Sequence, residues 1–134
     1  MPTTDIVRGV TDPTLEMRPF TAAEMGQAHA QITLAFGGAG APEDRDAEAS
    51  IFEFDRSLAV YDRGAMVATM GTYTFQTSVP GGSLPMAGTT WVTVSPTHRR
   101  RGILRRMMTQ HLADILDRGE PLAGLWASEP AIYG

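Results

Sequence analysis

The chain has 134 residues, which suits one domain with one hydrophobic core. Apolar residues make up 43% and charged residues 19%, a globular rather than a disordered balance. The net charge of -4 is unlike that of a dedicated nucleic-acid-binding domain, and the lack of cysteine excludes disulfides and a cysteine nucleophile. The sequence has no leader pattern and no long apolar run, and its three histidines are scattered. We therefore expect a cytoplasmic protein without a metal site or a membrane span.

The first half of the chain predicts an arm, a strand and two helices. Residues 1–14 are polar and read as a flexible arm, so the domain is expected over 15–134. A short strand over LEMRPF precedes Thr21 and Glu24, which have the spacing of a capping box at a helix start. Gly37 and Gly38 end that helix, and an acidic segment predicts a second helix over 44–54.

The second half predicts three antiparallel strands, a long helix and a last strand. The strands are SLAVYD, AMVATMGTYTFQTSV and AGTTWVTVS, with a turn over PGGSLP. The helix is expected over 100–118, with one continuous apolar stripe formed by Ile103, Leu104, Met107, Met108, His111, Leu112, Ile115 and Leu116. LAGLWAS reads as a buried strand, so strand–helix–strand order makes the last two strands parallel in a mixed sheet.

A cluster of arginines stands where this long helix begins, in PTHRRRGILRRMM. The N-terminus of a helix is partially positive and offers unpaired N–H groups, so cations are repelled and anions are bound there. The loop also follows the carboxyl end of a strand, where ligands of α/β sheets bind. The pattern therefore predicts a phosphate or pyrophosphate site, with a merely solvated basic face as the plainer alternative.

Two common phosphate motifs are missing from the chain. It contains neither G-x-x-x-x-G-K-[ST] nor G-x-G-x-x-G, because Gly102 stands alone. With these motifs excluded, the arginine loop fits a pyrophosphate, as in coenzyme A binding.

These residues carry a family resemblance. Arg99-Arg100-Arg101-Gly102 after VTVSP resembles the acetyl-CoA motif of the GCN5-related N-acetyltransferases (GNAT), although Leu104 replaces the usual small residue. VTVSPTHRRRGILRRMM with SEPAIYG is similar to the N-terminal domain of the enhanced intracellular survival (Eis) family. The resemblance implies a GNAT fold, in which helices flank a mixed central sheet whose final strands lie beyond this chain.

The resemblance also implies a reaction and a set of site residues. The reaction would move an acetyl group from acetyl-CoA to amines of aminoglycosides or lysine side chains, with Tyr133 as the general acid for the departing thiolate. Further residues that the resemblance assigns to the cofactor are Val92, Thr93, Val94, Arg99, Arg100, Arg101, Gly102, Ile103, Leu104, Arg105, Ser128 and Glu129. In that family the protein is longer and hexameric, and its C-terminal carboxylate is proposed as the general base.

Two other functions stay open on the sequence. One is a degenerate acyl-CoA-binding or assembly domain without turnover, and the other is a module that binds nucleic-acid phosphates, against which the net charge argues.

Several weaker candidate residues also have alternatives. The acidic residues Glu43, Asp44, Asp46 and Glu48 would either attract a polycationic substrate or form a solvated helix face. His98 would either touch phosphate or be solvated, whereas His111 is expected at the edge of the core and Trp126 in the core or a pocket wall.

Overall fold

A computed structural model describes residues 12–38 and 42–128. Its strands are β1 (Leu15–Arg18), β2 (Leu58–Asp62), β3 (Ala65–Val79), β4 (Gly82–Val94) and β5 (Leu122–Gly124). Its α-helices are α1 (Met25–Phe36), α2 (Pro42–Ile51) and α3 (Ile103–Asp117). Short 3-10 turns lie at Ala22–Glu24, Phe54–Arg56 and Pro96–His98.

The five strands form one mixed sheet in the order β1-β2-β3-β4-β5. Strands β1 to β4 pair with one another antiparallel, and β5 runs parallel to β4, as the strand–helix–strand order predicts. The β3–β4 hairpin is the longest pairing, from Ala68 opposite Val94 to Val79 opposite Gly82.

Two clusters of buried side chains hold helices on opposite faces of the sheet. On one face, Ile103 and Met107 of α3 pack against Val60 and Met70 of the sheet. On the other face, α1 joins an aromatic cluster in which Phe20 and Phe52 lie 5.3 Å apart between ring centroids. This layering confirms the predicted sheet with flanking helices.

The predicted capping box is present at the start of the first helical segment. The backbone N–H of Thr21 donates to Glu24 Oε2 over 2.9 Å. Glu24 also accepts two hydrogen bonds from Arg18, and these bonds hold the pKa of its carboxyl well below its usual range. The helix begins with a 3-10 turn, and α1 follows from Met25.

Three boundaries differ from the sequence predictions. The predicted turn over 80–85 is shorter, because β4 already begins at Gly82 after a tight turn in which Gly81 has a φ of +91°. The long helix begins at Ile103 rather than at residue 100, because Arg100 and Gly102 have the left-handed φ values +61° and +75°. The predicted helix over 44–54 is shifted to Pro42–Ile51.

The structure buries less of the second half of the chain than the sequence predicts. LAGLWAS forms only the three-residue strand β5, whose Leu122 and Ala123 are exposed because β5 is the edge strand of the described sheet. Of the two positions left open for Trp126, full exposure excludes the core. The apolar stripe of α3 is buried only along Ile103, Met107, His111 and Ile115, because no described element covers Leu104, Leu112 and Leu116.

Candidate active site

The basic loop joins the end of β4 to the first turn of α3. Gly102 is the N-cap of α3, and its left-handed conformation is one that glycine adopts without steric cost. Among the described residues, no side chain caps this helix end. The first N–H groups of α3 therefore have no side-chain partner there, which is the condition for binding an anion at a helix N-terminus.

The arginines of the loop fall into two groups. Arg101 forms an ion pair with Asp12, and Arg106 donates to the Leu15 carbonyl over 3.4 Å. Hydrogen bonds from Thr14, with Arg101 as a further cause, lower the pKa of Asp12 to about 2. The exposed side chains Arg99, Arg100 and Arg105 make no hydrogen bond or ion pair within the described part of the chain.

Arg101 therefore differs from the other three arginines of the predicted cofactor site, Arg99, Arg100 and Arg105. Its guanidinium is already neutralised by a carboxylate of the same chain, whereas its neighbours present their charge to solvent. His98, for which two roles stayed open, donates to Asp62 Oδ2 at 2.9 Å and lies 2.8 Å from Thr97 Oγ1. It is tied to the protein rather than simply solvated.

A β-bulge interrupts β4 in front of the loop. Thr69 pairs with Thr93 and Gly71 with Thr90, so Met70 faces two residues, Trp91 and Val92. Within the bulge, Trp91 has the left-handed backbone φ of +56°. The bulge bends the β4 backbone next to Val92, Thr93 and Val94, which the sequence resemblance assigns to the cofactor.

The outer edge of β4 is unpaired beyond the bulge. Within the described residues β5 pairs only with Met86, Ala87 and Gly88, so the backbone from Thr89 to Val94 has no strand on that side. Val92 and Val94 pack against the core, and the Thr93 hydroxyl lies 2.6 Å from that of Thr69. These residues therefore offer backbone rather than side-chain groups to a ligand.

A cleft of about 370 Å³ opens where β4 and β5 separate. One wall is the β4 segment from Thr89 to Val92, and Ser128 lies on the wall formed by the chain after β5. Trp126 also lines the cleft, so the pocket-wall role predicted for it agrees with its position. The third wall is made by α1 and α2.

The acidic helix α2 divides between the cleft and solvent. Asp44 and Glu48 line the cleft, whereas Glu43 and Asp46 are exposed and do not. Glu48 pairs with His29 of α1, whose Nε2 lies 3.0 Å from Glu48 Oε2. This pair was missed by sequence reasoning, because the two residues lie 19 positions apart on different helices.

His111 is buried, as expected, but it also connects α3 to two strands. Its Nε2 lies 2.6 Å from Thr89 Oγ1, and its Nδ1 lies 3.3 Å from Thr72 Oγ1. Burial, and then the nearby Arg56 guanidinium, lower the pKa of His111. The ring is therefore neutral at pH 7 and can bridge two hydroxyls.

Some predicted features lie outside this description. Glu129 and Tyr133 are not among the described residues, and neither is the arm up to residue 11. No group of three or more potential metal ligands was found in residues 12–38 and 42–128. The helices of these ranges are all too short or too polar to cross a membrane.

A family comparison decides the class of this domain. Residues 16–134 match the model of the "Acetyltransferase (GNAT) domain" family. The chain belongs to the GNAT acetyltransferase family. The expected GNAT fold is thereby confirmed.

Individual relatives agree with this assignment. An uncharacterized N-acetyltransferase of Streptomyces avermitilis is 55% identical over 102 residues, which are 75% of this chain and 25% of the relative. N-acetyltransferase Eis of Mycobacterium tuberculosis is 42% identical over 98 residues, covering 69% of this chain and 24% of Eis. The resemblance to the Eis family is thus confirmed, and the GNAT domain spans about a quarter of these relatives.

A solved structure shows the same relationship in three dimensions. The crystal structure of Eis1 from Mycobacterium abscessus superposes with a TM-score of 0.76 at 36% identity. The match covers 89% of this chain and 29% of the Eis1 chain.

Proposed function

We propose that the protein transfers an acetyl group from acetyl-CoA to an amine. The observation that carries the proposal is the uncapped start of α3, with three exposed arginines beside it, next to the unpaired edge of β4. A pyrophosphate and a thioester on one extended ligand need these two features side by side. Family membership and the names of the relatives support the same reaction.

The residues present fit the diphosphate end of coenzyme A. Backbone N–H groups at the start of α3 would hold the phosphate oxygens, and Arg99, Arg100 and Arg105 would supply the charge. Arg101 would act indirectly, because its pairing with Asp12 fixes the loop.

The acyl end would lie along the edge of β4. Bound acetyl-CoA supplies an activated thioester, and backbone N–H groups at Val92 to Val94 would polarise its carbonyl. The cleft beside Trp91 would admit the acceptor amine. Ser128 and Glu129 would contact the cofactor, and Tyr133 would protonate the departing thiolate, as the Eis resemblance implies.

We further propose that the acceptor is an aminoglycoside amine, a lysine side chain, or both. The carboxylates Asp44 and Glu48 on the cleft wall favour a cationic acceptor. We also carry over the hexameric assembly and a cytoplasmic location from the Eis resemblance and the sequence. Neither nucleic acid nor a membrane is expected as a partner.

A thiol-release assay tests the reaction on the full-length protein. Acetyl-CoA is offered with aminoglycosides, polyamines and lysine peptides, and wild type is expected to release thiol with at least one of them. Arg99→Ala and Arg105→Ala should each raise the KM for acetyl-CoA about fivefold, as expected for losing an ion pair worth about 1 kcal/mol. Arg118→Ala, at the opposite end of α3, is the matched control and should leave KM unchanged.

A shortened donor separates pyrophosphate binding from other effects. S-acetyl-pantetheine has the thioester but no diphosphate, so the arginine variants should use it as well as wild type does. Equal losses with both donors would show that the arginines do not bind the pyrophosphate. Acetyl-CoA binding without thiol release would favour the degenerate domain, and steeply salt-dependent RNA binding without acetyl-CoA binding would favour a nucleic-acid module.

A further inference from the structure

Asp62 connects the basic loop to the middle of the sheet. His98 Nε2 donates to Asp62 Oδ2 over 2.9 Å, and a second loop residue, Arg101, has its Nη1 4.0 Å from the same oxygen. Asp62 is the last residue of β2, and it pairs with Leu15 of β1 and with Ala65 of β3. The loop is therefore attached to a residue that two neighbouring strands hold in place.

Both ring nitrogens of His98 have a partner within the protein. An ionised carboxylate only accepts hydrogen bonds, so Nε2 carries the proton of the contact with Asp62. His98 Nδ1 lies 2.8 Å from Thr97 Oγ1, whose hydroxyl can donate to it. The His98 and Asp62 side chains are 15% and 23% exposed, so their contact is largely shielded from water. We therefore expect His98 to act on the loop rather than on a phosphate.

The loop between these contacts has a backbone that needs support. Arg100 has the left-handed φ of +61°, a costly conformation for a residue with a side chain. Such a conformation persists only where its surroundings enforce it. The contact of His98 with Asp62 lies before Arg100, and the ion pair of Arg101 with Asp12 lies after it. These two contacts hold both ends of the loop while the Arg100 side chain stays exposed.

The carboxylate of Asp62 needs an explanation, because an acidic group near a diphosphate site repels the ligand. Its Oδ2 faces His98 and Arg101, and its Oδ1 is buried 4.0 Å from Arg63 Nε. The negative charge is therefore surrounded by donors of the same chain. Its placement fits a role in holding the loop, not in contacting an anion.

We propose that Asp62 and His98 are positioning residues, which hold the basic loop in the shape that binds the diphosphate of acetyl-CoA. This proposal rests on the proposed function. It assigns a role to a residue at the end of β2, 36 positions before His98 and outside the arginine motif.

The Asp62–His98 contact acts on affinity through the order of the loop. A loop that is already in its binding shape loses little conformational entropy when the ligand arrives. Without the contact, the diphosphate would have to order the loop itself, and part of the binding free energy would be lost. The chemistry at the thioester, which lies along β4, would be unaffected.

The test measures the KM for acetyl-CoA by thiol release and the Kd of CoA by calorimetry, both on the full-length protein. His98→Ala should raise both constants about tenfold, as expected for losing one charge-assisted hydrogen bond, and should leave kcat within about twofold of wild type. With S-acetyl-pantetheine, which lacks the diphosphate, His98→Ala should match wild type. His98→Gln should stay within about threefold of wild type, because its amide N–H can donate to Asp62 in place of Nε2.

A double-mutant cycle shows whether the two residues act through their contact. Asp62→Ala removes a negative charge as well as the contact, and the charge effect alone would favour phosphate binding. The cycle cancels that effect, because it is present with and without His98. Replacing His98 by alanine should therefore raise KM about tenfold in wild type but less than about twofold in Asp62→Ala.

Asp117→Ala is the matched control for the loss of a carboxylate, because Asp117 is exposed at the opposite end of α3. It should keep the wild-type KM. Melting temperatures of all variants identify loss of folding, and if Asp62→Ala unfolds, the comparison of His98→Ala with His98→Gln decides.

The outcomes separate the two proposals. An active wild type whose His98→Ala variant keeps its KM and Kd overturns the positioning role and leaves the acetyl transfer standing. Equal losses with both donors, or additive effects in the cycle, also overturn the positioning role. If wild type binds CoA but releases no thiol with any amine, the proposed function is wrong, and the Kd values alone decide the role of the contact. A wild type that neither binds CoA nor releases thiol overturns both proposals.

Discussion

The buried ion pair between Arg56 and Glu120 allows a quantitative prediction of how much one side chain stabilises the fold beside the cleft. Arg56 Nη1 and Nη2 donate to the two Glu120 oxygens over 3.1 and 2.5 Å, and Nη1 also donates to Thr74 Oγ1 over 2.8 Å. The Arg56 and Glu120 side chains are only 3% and 4% exposed. Glu120 lies in the turn between α3 and β5, so this pair anchors the chain just before the strand that borders the cleft.

Glu120→Ala would leave the Arg56 guanidinium buried without a counter-charge. Breaking a buried pair in this way costs about 3–5 kcal/mol, because the remaining charge loses both its partner and its hydration. That is a large share of the roughly 5–15 kcal/mol by which domains are stable. We expect urea unfolding at pH 7, followed by circular dichroism, to show a fall in the free energy of unfolding of this size.

An exposed ion pair serves as the control. Arg118 Nη2 lies 3.4 Å from Asp55 Oδ2, and these side chains are 45% and 75% exposed, so Asp55→Ala should cost less than about 1 kcal/mol. The double variant Arg56→Met with Glu120→Leu should recover much of the loss, since it removes both charges. If Glu120→Ala is no more destabilising than Asp55→Ala, the argument from burial is refuted.

Two further predictions concern pH and backbone conformation. The pKa of His111 is lowered from its ordinary 6.5 by burial and then Arg56, so the unfolded chain binds more protons and stability falls as pH drops below 6.5. Melting temperatures at pH 5.5 and 7.5 should differ more for wild type than for His111→Gln, and equal differences would contradict this cause. Gly102→Ala should cost about 1 kcal/mol in urea unfolding because its φ is +75°, although a Cβ would meet open space. Gly26→Ala, inside α1 and equally unobstructed, should instead stabilise the protein by roughly 0.5–1 kcal/mol. If both variants changed the free energy of unfolding in the same direction, the backbone φ would not be the cause.

Local signals in the sequence predicted much of the fold. The Thr21–Glu24 spacing located a helix start, and a run rich in Thr, Val and aromatic residues predicted the bounds of β3. Strand–helix–strand order predicted that β5 lies parallel to β4. Each of these features depends on residues close together in the sequence, so a single sequence is enough to predict it.

Features that depend on distant residues were not predictable in the same way. The pairing of Arg101 with Asp12 spans 89 positions, and no local pattern distinguishes Arg101 from Arg100. The exposed face of α3 was missed because helical periodicity shows which residues are apolar, not how wide a face the sheet covers. The His29–Glu48 pair required knowing that α1 and α2 lie against each other in the fold.

The strained residue Trp91 links the fold to the proposed chemistry. A tryptophan at a φ of +56° is costly, by roughly 1–3 kcal/mol, and persists only where its surroundings enforce it. Here the indole lies 5.0 Å from both the Phe52 and the His29 rings, measured between centroids, so aromatic packing holds the bulge. The same bulge shifts the register of β4 at the start of its unpaired edge. The Trp91 side chain therefore packs against the His29 ring on the wall of the cleft, while its backbone lies in the bulge at the β4 edge proposed for the thioester. One strained residue thus belongs to both the cleft wall and the sheet edge.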